Sequence, residues 1–379
     1  MIKKILLFVN IFFYTIAVSA FDTTAKQAYL VDVLSGNVLL KKNEKEKISP
    51  ASITKIMTTI VAFDLIKRGE LKLDEKIRIS KKAWRMSSKG YSSMFIMPGD
   101  KVSVENLLKG IIIVSGNDAC VALAQGIAGT EEEFVNMMNS MAKKIGLPNT
   151  NFSNSSGLFD ENNYSTAEDI AKMSIYLINN FPKLYKYYKV KKFKWDRTGG
   201  APITQGNRNP ILYKDMGGDG LKTGHLEDSG YSLAATIKKD ERRILSVISG
   251  LTSKNERSRE TVRLLSYAKN RFDLLKINKL DENFKIKTWN LKPNKVQLTL
   301  SDDVYLTIPK RQKSKIKIEM EHEDQLLKNV VKKGQAVSKL NIFYDDKLIK
   351  SEILYSSTKT EKENFFIRFI NSVSYFIWG

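Results

Sequence analysis

Apolar residues near the start of the chain change from a period of two to the period of a helix. The segments AYLVDV and VLLKK alternate around the turn LSGN and predict a β-hairpin. The stretch IMTTIVAFDLI then has the spacing of a buried helix, and Arg68-Gly69 is a typical helix end. A strand pair followed by a buried helix is therefore expected here.

A mostly helical stretch from about Asp74 to Pro210 separates this hairpin from a second one. YSLAATIKKD and RRILSVISGL alternate around a turn at Asp240-Glu241, and the helical pattern ERSRETVRLLSYAKNRF follows them. Because strands lie on both sides of the helical stretch, we expect one sheet assembled from distant parts of the chain and covered by helices. The pattern predicts an α/β domain over residues 21–275.

The pattern changes again beyond about Lys276. FKIKTWNL, KVQLTL, VYLTIP, KIKIEM and KLNIFYDD are short and alternating, with turn residues between them. They predict a small all-β sandwich domain over residues 276–356. The polar stretch at residues 357–363 is typical of a linker.

The last residues, 364–379, repeat apolar side chains at helical spacing, with Arg368, Asn371 and Ser372 on the opposite face. The segment is shorter than the roughly 20 apolar residues that span a bilayer. It predicts an amphipathic helix lying in a membrane interface. The alternative is a terminal helix that docks on the protein's own core.

Residues 1–20 have the three parts of a secretory signal peptide: a basic start, an apolar middle and the small-residue end Val18-Ser19-Ala20. Cleavage is expected after Ala20, and an uncleaved membrane anchor is the alternative. The sequence thus predicts export.

Composition adds two constraints. The formal net charge is +21, which indicates either an anionic partner or a general bias toward lysine. The lysines are spread along the chain and no dense basic block with interleaved aromatic residues occurs, so nucleic acid is not an expected partner. The single cysteine, Cys120, allows no internal disulfide and lies in an apolar run, where we expect it to be buried and inert.

Candidate chemistry begins with Ser52 and Lys55, which share one face of a helix, so the amine can take the proton of the hydroxyl. The Ser-x-x-Lys pattern alone is weak, because it recurs four times elsewhere in the chain. Histidine is nearly absent: His322 lies in a charged edge and His225 follows Lys-Thr-Gly. A lysine base is therefore more economical than a Ser-His-Asp triad, and the chain offers too few ligands for a metal site.

Three motifs occur in a fixed order: Ser52-x-x-Lys55, Ser115-x-Asn117 and Lys222-Thr223-Gly224. This set resembles the penicillin-recognising serine enzymes. The strings ISPASITK, NFSNSSGL, YSTAEDIA, QGNRNPIL and GLKTGHLEDSGYSLAAT are similar to the low-molecular-mass D-alanyl-D-alanine carboxypeptidases in particular. The resemblance covers nearly all of the chain after the signal.

The resemblance implies a β-lactamase/transpeptidase-like sheet flanked by helices with a mostly helical insertion, then a small β-domain and an amphipathic anchor. It implies removal of the terminal D-alanine from peptidoglycan stem peptides ending in D-Ala-D-Ala, without a cofactor. β-Lactam antibiotics would be covalent inhibitors. The expected location is the periplasmic face of the inner membrane, with peripheral attachment through the terminal helix.

The resemblance also implies roles for the motif residues. Ser52 would be the nucleophile and Lys55 its base, made neutral by the helix N-terminus and by the second cation Lys222. Ser115 would relay a proton to the leaving amine, and Asn117 would bind the substrate backbone.

Further substrate contacts are implied along the Lys-Thr-Gly strand. Thr223 and Lys222 suit the terminal carboxylate, while Gly224 belongs to the strand that lies beside the substrate. The oxyanion hole would be the backbone N–H groups of Ser52 and His225. The family also has arginines near the carboxylate site at the positions that match Arg208 and Arg257.

Two departures leave alternatives open. Ser156 stands where relatives usually have histidine or aspartate before Gly-Leu, which leaves deacylation in question. No Glu-x-x-x-Asn loop is recognisable, so efficient β-lactam hydrolysis is not expected. A DD-endopeptidase or a penicillin-binding but catalytically weak cell-wall scaffold are the alternatives to a carboxypeptidase.

Overall fold

A computed structural model describes residues 21–87, 90–321 and 326–378. The expected signal peptide, residues 1–20, and His322 lie outside the described residues. Within the described part, the strands of the first domain are β1 (Gln27–Asp32), β2 (Val38–Lys42), β3 (Lys76–Arg78), β4 (Lys101–Ser103), β5 (Lys192–Trp195), β6 (Ile203–Gly206), β7 (Gly218–Leu226), β8 (Gly230–Lys239) and β9 (Arg242–Leu251).

A five-stranded antiparallel sheet in the order β2-β1-β9-β8-β7 forms the centre of this domain. Both predicted hairpins are confirmed, and the second turns at Asp240, which has a φ of 53°. Strands from the two ends of the domain thus meet in one sheet, as the sequence predicts. β7, at one edge, carries Lys222, Thr223 and Gly224.

Helices cover both faces of the sheet. In the described part of the first domain they are α1 (Lys55–Arg68), α2 (Lys81–Arg85), α3 (Val104–Lys109), α4 (Asn117–Ala128), α5 (Glu131–Ile145), α6 (Ala167–Asn180), α7 (Pro182–Tyr185) and α8 (Lys254–Arg271). A further helix, α9 (Phe365–Trp378), follows the second domain at the end of the chain. Alternation along β8 shows the layering: Leu233 and Ala235 pack with α8, whereas Ala234 packs with the helical insertion on the other face. Two short strand pairs, β3-β4 and β5-β6, also lie within that insertion.

Helix α1 runs through the middle of the larger core. Every residue from Lys55 to Phe63 is buried, so this helix is surrounded by protein on all sides. It ends at Arg68, and Gly69 caps it with a φ of 78°, a left-handed conformation that glycine adopts without strain. The predicted helix end is confirmed. Lys55, at the start of this buried helix, is therefore out of contact with bulk solvent.

The second domain is all β, as predicted. Its strands among the described residues are β10 (Phe272–Ile277), β11 (Lys285–Thr288), β12 (Leu291–Lys292), β13 (Lys295–Thr299), β14 (Val304–Pro309), β15 (Ile316–Glu321), β16 (Leu326–Leu327), β17 (Ala336–Tyr344), β18 (Lys347–Ser356) and β19 (Glu361–Lys362). A six-stranded sheet, β15-β17-β18-β13-β11-β16, shares one apolar core with the pair β10-β14. β19, in the segment expected to be a linker, pairs with β12.

Helix α9 exposes its apolar side chains. Phe366, Phe369 and Phe376 are 77%, 60% and 92% exposed. Asn371, on the polar face, donates a hydrogen bond to Asn290 of the β-domain at 2.9 Å. None of the helices in the described ranges is long and apolar enough to cross a membrane.

Candidate functional site

Ser52 lies in a 3-10 turn, Ala51–Thr54, that leads directly into α1. The sequence suggested the first turn of the helix itself, and the structure places the serine just before it. Ala51 has a φ of 49°, a conformation that costs free energy for a residue with a Cβ. Gly157 packs so closely that a Cβ there would overlap the carbonyl of Ala51. The packing therefore fixes this turn while Ser52 stays half-buried and reachable.

Gly224 brings the edge strand β7 against the same turn. A Cβ at this position would come within 2.9 Å of the carbonyl oxygen of Pro50 and would also meet the hydroxyl of Ser232. Any larger residue would push the strand away from Ser52. The glycine of Lys-Thr-Gly is thus explained by close backbone approach.

Lys55 is fully buried, and its Nζ makes three hydrogen bonds. The amine donates to Ser52 Oγ at 3.0 Å, to Asn117 Oδ1 at 2.7 Å and to the backbone oxygen of Ser156 at 2.5 Å. Amide oxygens can only accept hydrogen bonds, whereas a hydroxyl can accept or donate. Ser52 Oγ is therefore the only one of the three partner atoms that has a proton to give.

Burial lowers the pKa of Lys55 to about 8, because the charged amine loses its water. The charge of Arg208 lowers this pKa further, while Cys120 and Asp118 oppose the shift. Within the described ranges no carboxylate is close enough to form an ion pair with Lys55. A buried amine with neutral partners reaches its neutral form at an unusually low pH.

Ser115 and Asn117 sit at a sharp reversal of the chain. A π-helical turn, Gly110–Val114, ends at Ser115, whose φ is 66°, and α4 begins at Asn117. Ser115 Oγ accepts a hydrogen bond from Lys222 at 2.9 Å. Since Asn117 bonds to Lys55, this one reversal connects the two lysines of the motifs.

Lys222 is buried on β7, where its Nζ also donates to the carbonyl of Thr223 at 3.3 Å. Burial lowers its pKa well below the ordinary value, and nearby cations, Lys55 first among them, lower it further. The repulsion between the two amines thus acts on Lys222. The low pKa of Lys55 comes from burial and, to a smaller extent, from the charge of Arg208, and not from Lys222 as the sequence suggested.

His225, Tyr231 and Arg257 form a stack beside the motif strand. The ring of Tyr231 lies on His225 with centroids 3.9 Å apart, and the guanidinium carbon of Arg257 is 5.6 Å from the centre of the Tyr231 ring. Arg257 donates to the carbonyl of Gly224 at 3.5 Å, and its Nε is buried with no hydrogen-bond partner in the described part of the chain. Burial lowers the pKa of Arg257 to about 10, and partial burial also lowers that of His225.

Arg208 lies at the rim and donates to Ser92 Oγ at 2.5 Å. Burial lowers its pKa, and its charge reaches both motif lysines. Neither this arginine nor Arg257 has a hydrogen bond to Ser52, Lys55 or Ser115 among the bonds described. The structure therefore brings the three motifs into one hydrogen-bonded cluster, with the two arginines as charged neighbours.

Sequence reasoning missed Asp118, which follows the Ser-x-Asn motif directly. Its buried carboxylate accepts hydrogen bonds from a whole loop: Ser87 Oγ, Ser93 Oγ and the backbone N–H groups of Met94, Phe95 and Ile96. The same loop supplies Ser92, whose carbonyl accepts from the N–H of Asn117. An acidic residue inside an apolar run was the available signal, because buried carboxylates need several donors.

Comparison with known proteins gives a consistent result along the chain. The family model described as D-alanyl-D-alanine carboxypeptidase matches residues 14–253, and the model for the C-terminal domain of penicillin-binding protein 5 matches residues 272–362. The D-alanyl-D-alanine carboxypeptidase DacC of Escherichia coli is 37% identical over 323 residues, which cover 84% of this chain and 80% of that protein.

Solved structures agree. Penicillin-binding protein 5 from Haemophilus influenzae has a TM-score of 0.81 at 34% identity, and the match covers 91% of this chain and all of that one. Penicillin-binding protein D2 from Listeria monocytogenes, in its cefotaxime-bound form, has a TM-score of 0.59 at 26% identity, covering 65% of this chain and 98% of that one.

Proposed function

The chain belongs to the D-alanyl-D-alanine carboxypeptidase family and is a serine-type carboxypeptidase, and from this premise we propose that Ser52 is its nucleophile and Lys55 its general base. The substrates are peptidoglycan stem peptides that end in D-Ala-D-Ala. Ser52 Oγ attacks the carbonyl carbon of the penultimate D-alanine and forms an ester. The peptide C–N bond breaks, the amine of the terminal D-alanine leaves with a proton, and water then hydrolyses the ester.

The three hydrogen bonds of Lys55 carry this proposal. A neutral amine has two N–H bonds and one lone pair. Because Asn117 Oδ1 and the Ser156 carbonyl can only accept, they take the two N–H bonds. The lone pair is then left facing the hydroxyl of Ser52, 3.0 Å away. Deprotonation of Lys55 thus produces a base that is already aimed at its acid.

Ser115 and Lys222 deliver the proton to the leaving amine in this mechanism. Their hydrogen bond of 2.9 Å joins the hydroxyl to an amine whose pKa is strongly lowered, so the protonated amine is a good proton donor. Ser115 passes its proton to the leaving amine as it receives one from Lys222. Thr223 and Lys222, together with Arg208 and Arg257, receive the terminal carboxylate. The buried Nε of Arg257 has no hydrogen-bond partner in the described part of the chain, which supports the binding of an anionic ligand close to β7.

The substrate lies along β7 as an added strand. β7 is an edge strand: on one side it has no neighbour among the strands of the described residues, and extended peptides add to such edges. The N–H groups of Ser52 and His225 form the oxyanion hole, where one donor is typically worth about 3–4 kcal/mol. Asn117 binds the substrate backbone, and Gly224 keeps the strand close.

β-Lactam antibiotics acylate the same serine, by analogy with the cefotaxime-bound relative. We also propose export to the periplasmic side of the inner membrane and peripheral attachment through α9. The exposed phenylalanines of that helix support attachment, since its polar face is the one bonded to the β-domain.

A two-part assay tests the proposed chemistry. One sample of the protein is incubated with a fluorescent penicillin. Separate, unlabelled samples are incubated with diacetyl-Lys-D-Ala-D-Ala or with a cross-linked dimer of stem peptides, and free D-alanine or cleavage of the dimer is measured. Stable labelling with release of D-alanine supports a carboxypeptidase. Labelling without release would support the scaffold, cleavage only of cross-linked dimers the endopeptidase, and rapid loss of label a β-lactamase. Ser52→Ala should abolish labelling, and a labelled variant would contradict the assignment.

Deletion of residues 364–379 tests attachment separately. The truncated protein should stay in solution with vesicles of anionic phospholipid, while its activity on the soluble peptide is kept. Ser372→Ala, on the polar face of α9, is the matched control and should still bind. If the truncated protein sediments with the vesicles, the helix is not the anchor.

A further inference from the structure

The loop that follows Phe152 contains an asparagine whose side chain organises the backbone around Lys55. Asn154 Oδ1 accepts hydrogen bonds from three successive N–H groups, those of Ser156, Gly157 and Leu158, at 3.2, 2.7 and 3.1 Å. The Ser156 hydroxyl adds a fourth at 3.2 Å. Asn154 Nδ2 donates to the Leu158 carbonyl at 3.0 Å, which closes a ring.

This ring decides where the Ser156 carbonyl points. With its N–H and hydroxyl both bound to Asn154, Ser156 turns its carbonyl to Lys55 Nζ. That contact is the shortest of the three that Lys55 makes. Gly157, with a φ of 79°, completes the turn against Ala51, next to the nucleophile.

Other contacts hold the loop as a whole without acting on that carbonyl. Thr58 donates to the Ser155 carbonyl at 2.6 Å, and Glu131 accepts from the Ser155 hydroxyl at 2.8 Å. Asn139 exchanges two hydrogen bonds of 2.8 Å with the backbone of Phe152. The loop is therefore anchored to α1 and α5 even when the side chain of Asn154 is removed.

We propose that Asn154 is a positioning residue for the general base: by closing the 154–158 ring it holds the Ser156 carbonyl as the acceptor that aims the lone pair of Lys55 at Ser52. The proposal rests on the proposed function. Ser156 contributes its backbone, so the departure from the family pattern at this side chain leaves the acceptor intact.

The charged and titratable groups around Lys55 determine how loss of the 154–158 ring changes the pH profile of acylation. Asp118 and Cys120 face Lys55 from α4, Lys222 from β7 and Arg208 from the loop after β6. Burial raises the pKa of Cys120 to about 12, so it stays neutral near neutral pH. Glu131 binds the loop from α5. None of these groups is altered by a substitution at residue 154.

Removing the acceptor has two effects. A carbonyl stabilises an ammonium more than an amine, so its loss lowers the pKa of Lys55 further. An amine without this partner also aims its lone pair less well, which slows acylation. A merely structural role would reduce the amount of active protein without moving the midpoint of the pH profile.

The test measures second-order acylation by fluorescent penicillin between pH 5 and 10, per mole of protein that can be labelled. Asn154→Ala should reduce the plateau by roughly 10- to 100-fold, and its midpoint should move to lower pH by about half to one unit. Asn154→Asp keeps an acceptor oxygen and adds a negative charge, so its midpoint should move to higher pH. Asn139→Ala is the matched control and should keep the wild-type midpoint.

An Asn154→Ala midpoint equal to that of the wild type would overturn the inference, as would an equal displacement in Asn139→Ala. If the alanine variant does not fold, the Asn154→Asp variant decides through the direction of its shift, and an unchanged midpoint there counts against the proposal. A wild-type protein that is not labelled at all would instead defeat the proposed function, so the two failures are distinguishable.

Discussion

Lysine has opposite surroundings in the two domains. Lys55 and Lys222 are buried in the cleft, bonded to neutral oxygens, and their pKa values are lowered. On the β-domain, Lys315 and Lys359 are exposed and each pairs with a carboxylate, Asp345 at 2.9 Å and Glu361 at 2.8 Å. Hydrogen bonds to those carboxylates raise the pKa values of these two lysines.

The hydrogen bonds described for the two cleft lysines go to neutral oxygens, and such partners favour an amine without a charge more than a carboxylate does. A carboxylate beside Lys55 would stabilise the ammonium and so oppose the role of general base that we propose for this lysine. Elsewhere in the same domain, two half-buried arginines do have such partners: Arg242 binds Asp32 and Arg243 binds Asp219, both at 2.7 Å. The cleft is thus an exception within its own domain, as catalytic sites often are.

The largest expected effect comes from making the charge in the cleft permanent. Lys55→Arg places a guanidinium where an amine must lose its proton, and arginine does not deprotonate in proteins. Acylation by penicillin should fall by about 100-fold or more, the usual contribution of a general base. Stopped-flow labelling measures the rate, and near-wild-type acylation by this variant would show that Lys55 is not the base.

The pH dependence of acylation by the wild-type protein tests the same proposed role of Lys55. In the proposed mechanism Lys55 acts as a neutral amine. Because its pKa is about 8, acylation should be slow below that pH and rise through it to a plateau. The β-domain lysines, whose pKa values are raised, would give a rise only above pH 10.5, their ordinary value. A rate that is constant from about pH 6 to 9 would contradict a buried lysine base.

Sequence patterns predicted the hairpins, the buried helix and the all-β domain, because those depend on the period of apolar residues and on local turn and helix-end residues. The resemblance to a known family also predicted that the three motifs lie together, because relatives that share a fold place matching motifs at matching positions. Sequence patterns did not predict Asn154 or Asp118, whose importance depends on which backbone groups a loop brings within hydrogen-bond distance. Nor did they rank the causes of the low pKa of Lys55, since burial is a property of the assembled core.

An effect of intermediate size is expected on the free energy of unfolding, which should depend on pH through the titration of Lys55. The pKa of Lys55 is about 8 in the folded protein and 10.5 in the unfolded one, so the unfolded state binds more protons between those values. Stability contributed by this group therefore rises with pH across that range and is lowest below about pH 8. Relative to Lys55→Met, the wild type should gain up to about 3 kcal/mol in unfolding free energy between about pH 8 and 10.5. Urea titrations of both proteins measure this gain, and a constant difference would mean that the lysine is not buried as a neutral amine.

The smallest effect is expected on the β-domain, where the ion pairs lie in water. Lys315→Ala removes the partner of Asp345, but solvent already screens that pair, and the side-chain entropy lost in holding the lysine in place offsets most of what the pair contributes. The midpoint of thermal unfolding should not change measurably, and the acylation profile should keep its midpoint near pH 8. Differential scanning calorimetry at low and high salt tests the first expectation. A clear, salt-dependent loss of stability would mean that exposed pairs matter here as much as burial does in the cleft, and the contrast between the two domains would then no longer hold.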